Sequence, residues 1–242
     1  MFFRNIPLDE SVAEIARLGY DACEMWSVPD SADLDAAHAA CKKHGVEFIA
    51  VCTDFFKATE GDTAAYAAGV ESACKKAERL GAKILISQVG ADTGAPRAVQ
   101  HGNVVRCLAA AVPVLERYGM TLVIEPLNTL VDHKGYYLVS SAEGFDIVRE
   151  VGSGRVKLLF DIYHQQVSEG NVISNLTQNI DLIGHMHAAG CPGRHELDNG
   201  ELDYSRIFAA ADAAGYNGVC ALEYKPLMPP TESLEHTRRI IK

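Results

Sequence analysis

The sequence predicts an α/β fold, a single (β/α)8 TIM barrel covering residues 1–242 with a shortened first strand. Three observations carry that expectation. Apolar strand-like runs and helical stretches alternate strictly along the chain. The helical stretches end repeatedly on a glycine that leads into the next strand. Four apolar runs in the second half each finish on a polar residue at the same relative position.

The strand-like runs are Phe2–Arg4, Ala22–Trp26, Glu47–Thr53, Lys83–Gln88, Thr121–Glu125, Val156–Asp161, Leu182–His187 and Val219–Glu223. Parallel strands buried on both faces read as near-continuous apolar runs, as most of these do. Met1 falls almost inside the first run, so that strand is expected to be clipped, or completed by residues upstream. Helices are expected over Leu8–Leu18, Ala32–His44, Thr63–Leu80, Arg97–Tyr118, Ser141–Val151, Val172–Asn179, Tyr204–Ala214 and Thr231–Ile241. Asp62 and Ser140 stand where a side-chain oxygen caps the orphan N–H groups of a helix start. Leu18-Gly19-Tyr20, Leu80-Gly81-Ala82, Tyr118-Gly119-Met120 and Ala214-Gly215-Tyr216 place glycine where a left-handed turn ends a helix. No Pro/Ser-rich linker marks a domain boundary. Strict βα alternation fits the barrel. A doubly wound open sheet is the competing architecture, but the GxGxxG turn of a dinucleotide fold is absent.

Composition narrows the function classes. The net charge is −10 and no basic stripe is visible, which argues against nucleic acid as a partner. Charged residues interrupt every apolar run, so no membrane span is expected. The N-terminus lacks the apolar core and cleavage site of a signal peptide. Seven scattered cysteines, none in a CxxC pair, read as reduced core thiols of a cytoplasmic protein. A small-molecule substrate is the expected partner, and a homo-oligomer is compatible with it.

The four polar run-ends are Glu125, Asp161, His187 and Glu223. In a barrel of parallel strands the C-terminal ends converge on one rim. Three carboxylates and an imidazole meeting there repel one another unless a cation joins them. With a divalent cation they form a hard, oxygen-rich site with one nitrogen donor. Mn²⁺ or Mg²⁺ is the expected metal, and Co²⁺ or Zn²⁺ also suits the donors. His185 shares a face with His187 one layer lower, and its simplest reading is a hydrogen-bonded core histidine. Glu24 faces the same rim by position. Asn128, Thr129, His133 and Lys134 follow Glu125 in a lid-like loop. His164 just past Asp161, Arg194 and His195 in the loop after His187, and Lys225 after Glu223 are the candidate substrate contacts. Arg194 suits a substrate carboxylate, because a guanidinium makes two parallel bonds to one.

The segments Glu125-Pro126-Leu127-Asn128, Phe160-Asp161-Ile162-Tyr163-His164, Pro192-Gly193-Arg194-His195-Glu196, Asn199-Gly200-Glu201-Leu202-Asp203-Tyr204 and Glu223-Tyr224-Lys225-Pro226 resemble motifs of the hydroxypyruvate isomerase family. That family lies within the xylose isomerase-like barrels, alongside ketose 3-epimerases and nucleases of the endonuclease IV type. The resemblance implies that Glu125, Asp161 and Glu223 are metal carboxylates and that Glu125 and Glu223 are also the catalytic acid/base pair. It implies substrate contacts at His164 and Arg194. His187 stands where hydroxypyruvate isomerases often carry Gln and ketose epimerases carry His. Leu197 replaces a common Pro, and Leu130 a basic residue of some relatives. The implied activity is a metal-dependent, aldose–ketose type isomerisation of a small 2-keto/2-hydroxy compound through an enediolate. The alternatives are a ketose 3-epimerase, a non-catalytic metabolite-binding barrel, and a nuclease. The nuclease needs further His ligands and a DNA-binding surface, which the acidic charge opposes.

Overall fold

The computed structural model describes residues 2–3, 6–26, 33–54 and 57–241. Its centre is a parallel sheet of seven strands. These are β1 (Ala22–Met25), β2 (Glu47–Cys52), β3 (Ile84–Ser87), β4 (Thr121–Ile124), β5 (Val156–Asp161), β6 (Ile183–Ala188) and β7 (Cys220–Leu222). Each pairs with the next in sequence, from β1 through to β7. The helices are α1 (Leu8–Arg17), α2 (Leu34–His44), α3 (Thr63–Leu80), α4 (Arg97–Tyr118), α5 (Ser141–Val151), α6 (Ile162–Ser168), α7 (Val172–Thr177), α8 (Tyr204–Ala213) and α9 (Pro230–Ile240). The result is the expected TIM barrel, nearly closed.

Strand parity builds two cores. Ile49, Ala50, Ile86, Val123 and Leu159 form a small cluster drawn from neighbouring strands, the barrel interior. Leu85, Leu122, Ile124, Leu158 and Phe160 belong to the larger cluster shared with the helices. Side chains two residues apart share a face. Val123 therefore aims Glu125, and Leu159 aims Asp161, into the mouth of the barrel.

Helix starts follow local chemistry. Asp33, Asp62, Ser140, Asp161 and Asp203 each accept a backbone N–H of the first turn. At the other end, Gly81 takes φ +79°, and a Cβ there would also meet the His38 ring at 2.5 Å.

The expected first strand is corrected. Phe2 and Phe3 are not in a strand, and Arg4 lies outside the described residues. Phe3 has φ 50°, which extended pairing does not allow. Phe2 instead packs edge-on against Tyr224 just beyond β7, centroids 5.0 Å apart. Helices α1 and α9 tie the two ends of the sheet together from outside. Tyr20 Oη donates to Leu234 O at 2.9 Å and Thr231 Oγ1 to Glu14 Oε1 at 3.0 Å. Two further differences are local. Helix α6 occupies a stretch expected to be loop, and the expected Val172–Asn179 helix stops at Thr177, followed by a 3-10 turn at Ile180–Leu182. Against expectation, α4 is apolar and long enough, at 22 residues, to pass as a membrane span by composition. Here it is a barrel-wall helix with Val104, Cys107, Leu108, Ala111 and Leu115 buried.

Candidate active site at the C-terminal rim

The four strand-end residues meet. Asp161 is the last residue of β5, and His187 is its register partner on β6. Glu125 follows β4 by one residue and Glu223 follows β7 by one residue. One ligand atom from each lies within 4.8 Å of the others. His187 Nδ1 stands 3.1 Å from Glu223 Oε2, 3.7 Å from Glu125 Oε1 and 3.9 Å from Asp161 Oδ2. Asp161 divides its oxygens: Oδ1 caps α6 by accepting the His164 N–H at 3.0 Å, while Oδ2 turns to the cluster.

A second layer supports His187. Glu24, on β1, places Oε2 2.9 Å from His185 Nε2 and Oε1 2.9 Å from His187 Nε2, the second contact falling outside hydrogen-bond alignment. His185 is fully buried, with its ring 5.1 Å from that of His187. Gln88 Nε2 donates to Glu125 Oε2 at 3.4 Å. The sequence placed Glu24 on this rim, but not against His187, because the two are brought together only by closure of the barrel. Gln88, the last residue of its apolar run, carried a detectable signal.

Arg194 is the one predicted substrate contact that touches the cluster by charge. Its Nη2 lies 2.5 Å from Glu223 Oε2 and 3.5 Å from Asp161 Oδ2, and its Nε donates to Glu223 O at 3.2 Å. The loop holds it in a left-handed conformation, φ 59°. Arg194 N donates to Gly190 O at 2.9 Å, and Lys225 N donates to Arg194 O at 2.8 Å. Gly190 permits this fold-back, since a Cβ there would fall 2.2 Å from Glu196 O. His164 is buried three residues after Asp161, its Nε2 3.7 Å from Asp161 Oδ2. Neither the His195 nor the Lys225 side chain is hydrogen-bonded or ion-paired to the cluster among the described residues. The His195 Nδ1 turns to Lys225 O at 2.8 Å, and Lys225 is exposed.

Charge is unbalanced here. Burial, then the Glu223 carboxylate, pushes the Glu125 carboxyl up to about 8. Burial would also raise Glu223, but His187 and Arg194 outweigh it and hold that carboxyl at about 2. Burial opposes a charged His187, yet the Glu24 and Glu223 carboxylates keep its imidazolium well above the ordinary range. Burial lowers His164 to about 4, so that ring is neutral. Glu125 Oε1 and Asp161 Oδ2 are buried and accept no hydrogen bond from any described residue. Leaving such acceptors bare costs about 1–3 kcal/mol each. Three carboxylates and one imidazole nitrogen around these atoms fit a divalent cation, the group that would satisfy both.

These features lie on a chain whose residues 12–242 match the model of the xylose isomerase-like TIM barrel family, and the chain belongs to that family. Within it, the chain is 42% identical to the 2-oxo-tetronate isomerase of Cupriavidus necator over 132 residues, 54% of this chain and 50% of that protein. It is 34% identical to the hydroxypyruvate isomerase of Escherichia coli over 159 residues, 65% of this chain and 61% of that protein. The aligned stretches thus span less than two thirds of either relative. A crystal structure of an AP endonuclease, family 2, from Brucella melitensis has the same fold. Its TM-score is 0.90 at 24% identity, covering 98% of this chain and 95% of that one.

Glu196 fixes the loop beyond β7. Its carboxylate accepts from Leu227 N at 3.0 Å, Met228 N at 3.2 Å and Ser233 Oγ at 2.8 Å. Burial works to raise this carboxyl, but those donors outweigh it and hold it below the usual value. A lowered folded value stabilises above the unfolded carboxylate value, about 4.3, and the gain is lost as pH falls through the folded value. Glu196→Gln is expected to cost about 1–3 kcal/mol in urea unfolding at pH 7, with the gap to wild type narrowing below about pH 4. An unchanged gap at low pH would contradict this role.

Proposed function

We propose that this chain is an isomerase of a short 2-keto/2-hydroxy acid, of the hydroxypyruvate or 2-oxo-tetronate kind, working with a divalent metal. One observation carries the reading: Glu125 and Glu223 converge with Asp161 and His187 beside Arg194, with buried Glu125 Oε1 and Asp161 Oδ2 accepting no hydrogen bond from the described residues. The two isomerase relatives support the reaction class.

Glu125, Asp161, His187 and Glu223 would hold the metal, with Mn²⁺ or Mg²⁺ suiting the oxygen-rich set best. When bound, such an ion supplies Lewis-acid polarisation of the carbonyl. The protein residues do the rest. One of the two glutamates takes the proton from the hydroxyl-bearing carbon, leaving an enediolate. The other returns a proton to the neighbouring carbon, and the hydroxyl proton passes to the former carbonyl oxygen, so the atoms balance without a redox partner. Ligand atoms of Glu125 and Glu223 lie within 4.8 Å of each other, close enough to serve adjacent carbons of one substrate. Arg194 holds the substrate carboxylate, and the neutral His164 bonds a substrate oxygen. His187 favours a second reading, epimerisation of a neutral ketose at C3, because that histidine is a feature the ketose epimerases share.

The acid/base pair is tested by solvent exchange. Glu125→Gln and Glu223→Gln should each abolish isomerisation and incorporation of solvent deuterium into hydroxypyruvate or a 2-oxo-tetronate. Full exchange in both variants would remove these residues from the proton path.

The substrate class is tested at Arg194. A charge-assisted contact of this kind contributes about 1.5–3 kcal/mol, roughly ten- to a hundredfold in affinity. Arg194→Lys should raise KM for the acid, because a point charge cannot reproduce the guanidinium fork, and Arg194→Met should raise it further. Efficient epimerisation of fructose, tagatose or psicose by the wild type, with neither acid turned over, would replace the proposed function by the second reading.

A further inference from the structure

Asn128 lies three residues beyond Glu125 and is completely buried. Its amide has one orientation that suits its neighbours. Oδ1 accepts the backbone N–H groups of Val131 at 3.0 Å and Asp132 at 3.1 Å. Nδ2 therefore faces Asp132 Oδ2 at 2.9 Å and His164 Nδ1 at 2.7 Å. Tyr163 Oη donates to the same Asp132 oxygen at 2.7 Å, which steadies the acceptor that orients Nδ2. The Asn128 backbone N–H also points at His164 Nδ1, at 3.3 Å.

His164 Nδ1 thus meets two N–H donors and no acceptor. A proton on that nitrogen would face another donor, so the lone pair must lie there. In a neutral imidazole the single ring proton then sits on Nε2. His164 Nε2 is buried, lies 3.7 Å from Asp161 Oδ2, beyond hydrogen-bond distance, and has no hydrogen-bond partner among the described residues. The rings of Tyr163 and His133, each 5.2 Å away and inclined to it, limit rotation of the imidazole.

We propose that Asn128 is a positioning residue that locks His164 in its Nε2–H tautomer, making that histidine a hydrogen-bond donor to an accepting oxygen of the substrate. The use of that donor rests on the isomerase reading; the tautomer does not. A donor at this point selects a carbonyl, carboxylate or enediolate oxygen. It cannot act as a base without first giving up its proton, so proton transfer between carbons stays with the carboxylates. Recognition of substrate and choice of tautomer are therefore linked through a residue that makes no hydrogen bond to Glu125, Asp161, His187 or Glu223.

The tautomer is read directly. Protein labelled with ¹⁵N in its histidine rings is examined by long-range proton–nitrogen correlation near pH 7.5, with and without Mg²⁺, and His164 is assigned through His164→Gln. The expected native pattern is an unprotonated, pyridine-type Nδ1 and a protonated, pyrrole-type Nε2. Asn128→Asp keeps the shape and the acceptor for Val131 and Asp132, but presents an acceptor to His164. It should place a proton on Nδ1 and lower kcat by about 10- to 100-fold, the size of one lost charge-assisted contact in a transition state. A native spectrum with Nδ1 protonated overturns the proposal, and needs no variant to fold. So does an Asn128→Asp protein whose His164 Nδ1 stays unprotonated. Absence of turnover on every substrate, with the expected spectrum, would instead overturn the isomerase reading alone.

Discussion

Everything at the rim depends on gathering four carboxylates, two of them buried, into one small volume. Glu24, Glu125, Asp161 and Glu223 all approach His187, and the Arg194 guanidinium pairs with Glu223 and Asp161. In a low-dielectric setting like charges at these separations repel strongly, and desolvation adds to the cost. The protein meets part of that cost with an imidazolium at His187 and with Arg194, whose loop takes a strained backbone to deliver it. The remainder falls on Glu125, which the protein alone keeps protonated near neutral pH. A divalent cation in the cluster would displace the protons of His187 and Glu125 and would give the buried Glu125 Oε1 and Asp161 Oδ2 a partner.

The fold makes the gathering possible by economical use of single residues. Asp161 closes β5, caps α6 through one oxygen and offers the other to the site. Asn128 turns its own loop and orients His164. Glu24 bridges two histidines from the opposite side of the sheet, so that the closing of the barrel sets the height of His187. Outside, α1 and α9 bind the sheet ends, and Phe2 leans on Tyr224 although Phe2–Phe3 forms no strand. The rim therefore keeps its geometry with seven strands among the described residues.

Much of this was legible in the sequence, for physical reasons. Strand ends are readable because an apolar run that stops on a carboxylate breaks the burial rule, and period-two parity then says which way the side chain points. That logic reached Glu125, Asp161, His187 and Glu223. Capping chemistry reached the starts of α3 and α5. Helix α6 was hidden because its seven residues follow a strand with no break, and its cap, Asp161, looks like a ligand alone. The Glu24 pair was hidden because its partners are 161 residues away in sequence for His185. Asn128 and Glu196 were visible only as members of polar loops, since their partners are backbone groups and side chains that only the folded loops bring to them. His195 and Lys225 stood beside reactive residues in sequence, but the turn of the loop directs the His195 ring to a carbonyl and leaves Lys225 exposed.

The central claim is that the rim cluster is completed by one divalent cation. Anomalous diffraction from crystals grown with Mn²⁺, recorded on both sides of the manganese absorption edge, tests it most directly. The account predicts a single strong peak at about 2.0–2.3 Å from oxygens of Glu125, Asp161 and Glu223 and from His187 Nδ1. A rim without a peak at saturating Mn²⁺, or a peak held instead by Glu24 and His185, would contradict it.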